Sequence, residues 1–283
     1  MNVSRAKNLI IILFILLNAG LFALNYIRDS RYQLSDKAQR DITAFLSKNG
    51  IALSAKIPAG FRPARQINLS PLFTDIDRVA EWLFTDMTGL EKTTEFDRII
   101  YTTETESLRY DKKQFVFEAE PQGPAFGLNP ESAGKLCGER LAALGDKEAR
   151  FELDSCYEWE GSLVLDYRMK TAGLYIHSSY VRFWVSGRGI TRISCSMFAC
   201  NGFFGAPREI HSPDEALLLL ARELRNIFGD EPLEITRMDM VYALDSGQTA
   251  ESAELKAAPC YRIYIAQSPE PFLINAYFNT MLK

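Results

Sequence analysis

The sequence predicts an α+β fold in which a single N-terminal transmembrane helix is followed by helices packed on antiparallel β-sheets, with a degenerate helix-plus-strands repeat. Three observations lead to this prediction. Residues 9–27 form one long apolar run, short segments rich in β-branched and aromatic residues recur in the second half, and helix-start patterns precede two groups of these segments. A helix that is apolar on one face must cover a sheet, and strands joined by tight turns pair antiparallel.

The first element is the apolar run LIIILFILLNAGLFALNYI at residues 9–27, with basic residues on both sides. A helix of this length reaches about 28 Å, close to the roughly 30 Å hydrocarbon core of a bilayer. We therefore predict a retained transmembrane helix at 9–27 and a short cytoplasmic lead at 1–8. A cleaved signal peptide is the alternative, but the run is longer than a usual signal core and only a poor cleavage site follows it.

Positive charge predicts the orientation of this helix. The lead carries slightly more positive charge than the segment after the run, which favours an N-terminus inside the cell. We therefore expect a single-pass protein of the cell membrane, with a cytoplasmic N-terminus and an extracytoplasmic ectodomain.

Asn18 is a polar residue near the middle of the run. An amide in hydrocarbon seeks a hydrogen-bond partner, and the small neighbours Ala19, Gly20 and Ala23 would let a second helix approach closely. Such a contact contributes about 0.5 to 2 kcal/mol. These four residues are the predicted membrane-helix interaction site, and the alternative is that Asn18 is tolerated without a partner.

Composition argues against several ligand classes. The formal net charge is −4, and no run of Lys and Arg forms a stripe that would neutralise phosphates, so we expect no nucleic acid partner. The five cysteines include no CxxC pair and the chain has two histidines, so we expect no metal and no cofactor. Cys195 and Cys200 are the nearest disulfide candidates, although an odd cysteine count and a well-filled core favour mostly buried, unpaired thiols.

A membrane-proximal α+β domain is predicted at residues 28–122. It begins with an amphipathic helix over 36–48, which Ser35 caps and Asn49-Gly50 ends. A Pro- and Gly-rich linker over 121–127 closes the domain. The other predicted elements are a strand at 51–57, a helix at 76–85 capped by Thr74 or Asp75, and strands at 98–103 and 114–119.

Residues 128–283 are predicted as a C-terminal α+β domain made of two repeats, 128–210 and 211–283. Each repeat starts with a capping residue, Pro at the first helical position and acids near the positive end of the helix. The first helix runs from Asn129-Pro130 to Leu144 and stops at Gly145, and the second runs from Ser212-Pro213 to Phe228 and stops at Gly229. Ser212 and Glu215 fit a capping box. The predicted strands are 149–153, 162–169, 174–178, 181–185, 190–197, 233–244, 261–266 and 272–277.

The sequence contains no recognisable catalytic motif: GxSxG, HExxH, the P-loop and GxGxxG are all absent. His177, in a predicted strand, and His211, beside a helix cap, have structural explanations. Asp154 and Glu158, with Glu160 nearby, resemble a glycosidase carboxylate pair no more than any acidic turn does. We therefore expect no catalytic residues and no enzyme activity.

Several short motifs follow one another in a characteristic order along the chain. The first are the basic lead Ser4-Arg5-Ala6-Lys7, the polar Asn18 inside the span, and Asn49-Gly50-Ile51 at the end of the next helix. Further motifs are 150–153, Leu165-Asp166-Tyr167-Arg168-Met169, Gly189-Ile190, Tyr261-Arg262-Ile263-Tyr264 and Phe272-Leu273-Ile274-Asn275-Ala276. Taken in this order, the motifs resemble the YycI (WalI) family, and the last two are similar to the closing strands of YycI and its partner YycH.

This resemblance implies a membrane-anchored regulator without catalysis of its own. It implies two protein partners, a sensor histidine kinase of the WalK (YycG) type and a YycH-like protein, and a role in cell-wall signalling. The residues leave two alternatives open. One is an anchored peptide-binding or peptidase-inhibitor-like module of the cell envelope, because a helix-on-sheet domain can hold an extended segment along a sheet edge. The other is an envelope hydrolase that uses the acids near Asp154.

Overall fold

The computed structural model describes residues 3–72, 76–96, 98–111, 114–121, 123–144, 150–244 and 255–282. They form five helices and fifteen strands, which confirms the predicted α+β class. The chain divides into two compact units. Unit 1 comprises residues 1–64, 207–239 and 261–281, and unit 2 comprises 65–206, 240–260 and 282–283. The predicted linker at 121–127 therefore lies within unit 2, and the predicted domains and repeats stay predictions.

The helices are α1 (Val3–Ser30), α2 (Asp36–Lys48), α3 (Ile76–Leu83), α4 (Pro130–Ala142) and α5 (Pro213–Phe228). The strands are β1 (Ile51–Leu53), β2 (Ala64–Pro71), β3 (Glu91–Glu95), β4 (Arg98–Thr102), β5 (Glu106–Tyr110), β6 (Phe115–Ala119), β7 (Phe151–Trp159), β8 (Ser162–Thr171), β9 (Leu174–Ser186), β10 (Gly189–Ser196), β11 (Phe198–Arg208), β12 (Leu233–Leu244), β13 (Leu255–Ile265), β14 (Phe272–Asn275) and β15 (Thr280–Met281).

In unit 1, α2 packs against α5 and against β1. Ser35 caps α2 as predicted, because its side chain accepts a hydrogen bond from the backbone N–H of Ala38 at 3.1 Å. The apolar face of α2 buries Ile42 and Leu46. In the sheet, β1 pairs in parallel with the start of β12, and β14 pairs with both β13 and β15.

Unit 2 is built on a mostly antiparallel sheet. The strand order is β11, β2, β13, β12, β9, β10, β6, β5, β4 and β3, with β8 pairing with β9 and β7 with β8. A core cluster of unit 2 joins Leu83 of α3 and Cys137 of α4 to Leu108, Leu165 and Phe183 of the sheet. The two helices are thus held by the apolar faces that their sequences predict.

The structure corrects several predicted strand boundaries. Residues 174–178 and 181–185 were predicted as two strands but form the single strand β9. Ser179 lies inside β9 and is buried. A polar side chain is tolerated there because its hydroxyl donates a hydrogen bond to the carbonyl oxygen of Phe198 at 3.1 Å. The strand predicted at 51–57 ends at Leu53. Strands β2, β3, β5, β11 and β15 were not predicted.

The two predicted helix starts differ in their caps. Asn129 caps α4 by accepting from the N–H groups of Glu131 and Ser132, and Ser132 completes a capping box. The capping box predicted for α5 is wrong, since Ser212 makes no side-chain cap hydrogen bond. The carboxylate of Glu215 instead pairs with Nδ1 of His211. Thr74, Asp75 and Gly145 lie outside the described residues.

All five cysteines lie within the described residues, and none of them is bonded to another in a disulfide. Cys195 and Cys200 therefore form no disulfide in this structure. Cys137, Cys195 and Cys260 are buried, as the sequence analysis expects of most cysteines, whereas Cys156 is exposed.

Candidate functional site

Helix α1 carries the interaction residues that the sequence predicts. Among the described residues it is the single helix long and apolar enough to cross a membrane, with its apolar window at Ile10–Ile27 and none of that window buried. Its large apolar side chains, from Ile10 to Ile27, are exposed. The helix is compatible with single-pass anchoring, and its orientation stays a prediction.

The Asn18 amide already has one partner inside α1. Its Nδ2 donates a hydrogen bond to the carbonyl oxygen of Phe14 at 2.9 Å. This bond to the preceding turn lowers the cost of placing an amide in hydrocarbon. Within the described part of the chain Asn18 makes this one side-chain hydrogen bond, so its other N–H and its Oδ1 lie at the exposed surface of α1, where a second helix can reach them.

Helix geometry separates the four predicted residues into two faces. At about 100° per residue, Ala19 and Ala23 share one side of α1 with Gly20 beside them, whereas Asn18 lies about 140° from Ala23. A Cβ atom added to Gly20 would have no heavy atom within 4 Å. Asn25, seven residues after Asn18, lies within about 20° of it. The spacing of the two asparagines was visible in the sequence but was not used, and the interaction site stays a prediction.

Unit 2 contains a buried ionic cluster centred on Arg168. Its Nε donates to Oδ2 of Asp154 at 3.0 Å, and its Nη2 donates to Oδ2 of Asp166 at 2.7 Å. A third bond runs from Nη1 to the carbonyl of His177. Arg182 also donates to Oδ2 of Asp166, at 3.2 Å. Two buried carboxylates therefore face two guanidinium groups, an arrangement that compensates their charges away from water.

Unit 1 has a similar pair on its own strands. Arg262 of β13 is completely buried and binds Asp239 of β12 with two bonds, Nε to Oδ1 at 2.8 Å and Nη2 to Oδ2 at 2.6 Å. Arg237 also donates to Oδ2 of Asp239, at 2.6 Å. This two-pronged geometry matches the flat guanidinium to the carboxylate.

The two buried arginines recur at matching places in the predicted repeats. In each, the first strand after the helix supplies an aspartate (Asp154 on β7, Asp239 on β12), and the next strand supplies a Tyr-Arg pair (Tyr167-Arg168 on β8, Tyr261-Arg262 on β13). Both tyrosines are buried. The repeated Tyr-Arg dipeptide is visible in the sequence but did not enter the prediction of the repeats, and the duplication stays a prediction.

The structure also places the acidic residues and histidines that were considered above for catalysis. Asp154 is buried against Arg168, whereas Glu158 and Glu160 are exposed. A buried, paired carboxylate cannot approach a substrate, so the hydrolase alternative loses its central residue. His177 contributes its carbonyl to Arg168, and the backbone N–H of His211 donates to the carbonyl of Ala276 at 2.8 Å. Within the described ranges, no group of three or more His, Cys, Asp or Glu side chains is placed to hold a metal ion.

Comparisons with known proteins show a shared fold at low sequence identity. No family model matches the sequence, and no curated protein matches it. An uncharacterised protein from Eubacterium rectale has a TM-score of 0.53 and 10% identity, over 83% of this chain and 91% of that one. YycH from Bacillus subtilis has a TM-score of 0.51 and 11% identity, over 77% of this chain and 55% of YycH.

The C-terminal domain of YpeB from Bacillus megaterium is a weaker match, with a TM-score of 0.38 and 11% identity over 76% of this chain and 97% of that domain. The likeness to YycH establishes a YycH-like fold, and this chain spans about half the length of YycH. The finer resemblance to YycI stays a prediction.

Proposed function

We propose that this chain is a membrane-anchored, non-enzymatic regulator of a sensor histidine kinase of the WalK (YycG) type, acting outside the cytoplasm with a YycH-like partner to tune cell-wall homeostasis. The observation that carries the proposal is the combination of a membrane-capable helix with a YycH-like α+β fold in one chain. The YycI resemblance supplies the kinase and the partner.

The exposed apolar surface of α1 supports the proposal that this helix anchors the chain in a membrane. Its exposed apolar side chains would each cost about 1.5 to 3 kcal/mol in water relative to burial, so a bilayer is the environment that matches them. Within that bilayer, Asn18 offers a polar contact and the face of Ala19, Gly20 and Ala23 offers a close one. The two faces of α1 therefore offer separate contact surfaces for the two proposed membrane partners.

The test is co-purification from membranes in which the full chain, the kinase and the YycH-like protein are expressed together. We expect Asn18→Leu to reduce recovery of at least one partner, and replacement of residues 9–27 by an unrelated apolar helix to reduce recovery of both. Leu17→Ile, in the same turn, is the control and leaves recovery unchanged. If the native chain recovers neither partner, the proposed function is wrong. If the chain with the replaced span recovers both partners fully, the partners do not bind through α1.

One observation favours the alternative, an anchored peptide-binding or peptidase-inhibitor-like module of the envelope. Strand β3 is the last strand in the order of unit 2, and all five of its residues are exposed. Within the described residues it pairs with β4 alone, so its outer edge is open to an added strand. If deletion of the gene for this chain left the output of the kinase unchanged, a peptide-binding module would be favoured over a kinase regulator.

A further inference from the structure

Unit 2 contains an open groove with a volume of about 1230 Å³. The segment after α3, the start of β3, the turn between β4 and β5, the end of β6, one side of α4 and the start of β10 line it. Every lining residue belongs to unit 2. The groove is large enough for a ligand of several residues, and neither the buried ionic cluster nor α1 contributes to it.

The rim of the groove is strongly acidic. Its lining has six carboxylates and one guanidinium, that of Arg140, which gives a formal charge of −5. The whole chain carries −4, so this one surface holds more net negative charge than the complete protein. The six carboxylates are those of Asp86, Glu91, Glu104, Glu106, Glu120 and Glu139.

Internal contacts account for only part of this charge. Glu106 accepts from the backbone N–H of Thr85 at 3.0 Å, and Asp86 accepts from that of Thr88 at 2.9 Å. Arg140 donates to the carbonyl of Leu83 at 2.6 Å. The other four carboxylates are exposed, and in the described part of the chain they form no salt bridge.

The floor of the groove is apolar. Phe117, Leu136 and Ile190 line it beside Ala119, and all belong to, or pack on, the main core cluster of unit 2. An apolar floor beneath a carboxylate rim suits a side chain with a hydrocarbon stem and a cationic head. Lysine and arginine have this structure, since their stems cover apolar surface while the charged ends reach polar groups.

We propose that this groove binds an extended polypeptide segment through lysine or arginine side chains. The stems lie on the partly exposed Ala119, Leu136 and Ile190, and the cationic ends face Glu104, Glu120 and Glu139. A polypeptide is favoured over a small polyamine because β3, which begins at Glu91 in the groove lining, has an edge where an extended backbone can pair. This site is independent of the kinase partner proposed above and stands or falls separately.

The experiment measures the fluorescence anisotropy of a fluorescein-labelled lysine oligomer titrated with the full chain in detergent micelles. We expect the combined variant Glu104→Gln, Glu120→Gln and Glu139→Gln to bind at least about tenfold more weakly, equivalent to about 1.4 kcal/mol. The control combines Glu158→Gln, Glu160→Gln and Glu209→Gln, three exposed residues outside the groove, and keeps its affinity within about twofold. An equal loss in both variants, or no binding by the native chain, overturns the proposal.

Two further probes test the chemistry of the ligand without altering the protein. An oligomer of diaminopropionic acid carries the same charges on shorter stems, so it should bind more weakly than the lysine oligomer. Equal affinity would show that the apolar floor does not contribute and would overturn the proposed contact. Spermine is the second probe. If spermine competed as strongly as the unlabelled lysine oligomer does, the ligand of the groove would be a polyamine and not a polypeptide.

Discussion

Arg168 and Asp154 form an ion pair inside unit 2, with Nε of Arg168 3.0 Å from Oδ2 of Asp154 and side chains only 2% and 0% exposed. The pair joins β7 to β8, the first two strands after α4. Because both charges are removed from water, each needs charged or hydrogen-bonding partners inside the cluster, and Asp154 is one of the two carboxylates that pair with Arg168.

Asp154→Ala should destabilise the chain by about 3 to 5 kcal/mol, because the charge of Arg168 would stay buried with fewer partners. Urea unfolding of the full chain in detergent, followed by near-ultraviolet circular dichroism, measures this free energy of unfolding. Glu152→Ala is the control, since Glu152 forms an exposed pair with Lys170 on the same two strands and should change stability by less than about 1 kcal/mol. Equal effects of the two variants would contradict the prediction.

Arg262→Lys should destabilise the chain by about 1 to 3 kcal/mol although the charge is retained. A lysine has one ammonium group and cannot make both of the bonds that Arg262 forms with Asp239, so one of these two charged hydrogen bonds inside the buried pair is lost. The same measurement applies. Arg222→Lys in α5, where the side chain is 71% exposed beside Glu223, should have no measurable effect, and a neutral Arg262→Lys would show that the two-pronged geometry is unimportant.

The helices and their ends could be predicted from the sequence because local rules decide them. Ser35 before α2, Pro130 in α4 and Pro213 in α5 lie where capping chemistry and the fixed proline backbone place them. The capping box predicted for Ser212 and Glu215 is not formed, and its cause is also local. The Glu215 carboxylate pairs with His211, and a rule based on residue spacing does not consider this competing partner.

The sheet edges and the site could be predicted only in part. Strand β3 has the sequence EKTTE with every residue exposed, so it lacks the apolar alternation on which strand prediction depends. The acidic groove is formed by segments from Thr85 to Ile190, and such distant residues are brought together by strand pairing rather than by spacing. The two faces of α1, in contrast, follow from helix periodicity alone.

The thiols should differ strongly in reactivity. Cys156 is exposed, and three of the other four cysteines are buried, so iodoacetamide should modify Cys156 first and Cys200 second. Partial burial raises the pKa of Cys156, so its modification rate should keep rising above pH 9. Mass spectrometry of tryptic peptides gives the order. Modification of Cys137, Cys195 or Cys260 in the folded chain before Cys156 would contradict the described burial.

Stability should fall in alkali between pH 9 and 12. Burial raises the pKa of the Cys137 thiol from 9.0 to about 12, so the folded chain holds this proton more tightly than the unfolded chain does. Below pH 9 both states are protonated, and above it the unfolded state ionises first, which favours unfolding by up to about 1.4 kcal/mol per pH unit. Unfolding free energies measured across this range should decrease less steeply for Cys137→Ala than for the native chain. An identical slope would mean that this thiol does not titrate differently in the two states.

Gly50 and Gly138 should respond to alanine in opposite directions. Gly50, at the end of α2, has φ +66°, and an added Cβ would lie 2.8 Å from Nη2 of Arg225. Alanine there should destabilise the chain by about 1 to 2 kcal/mol, since the left-handed backbone disfavours a side chain. Gly138 lies in α4 with no heavy atom within 4 Å of an added Cβ, so alanine should stabilise by about 0.5 to 1 kcal/mol through better helix propensity. Paired urea titrations measure both values, and a Gly50→Ala variant as stable as the native chain would show that Arg225 yields and that the positive φ is not required.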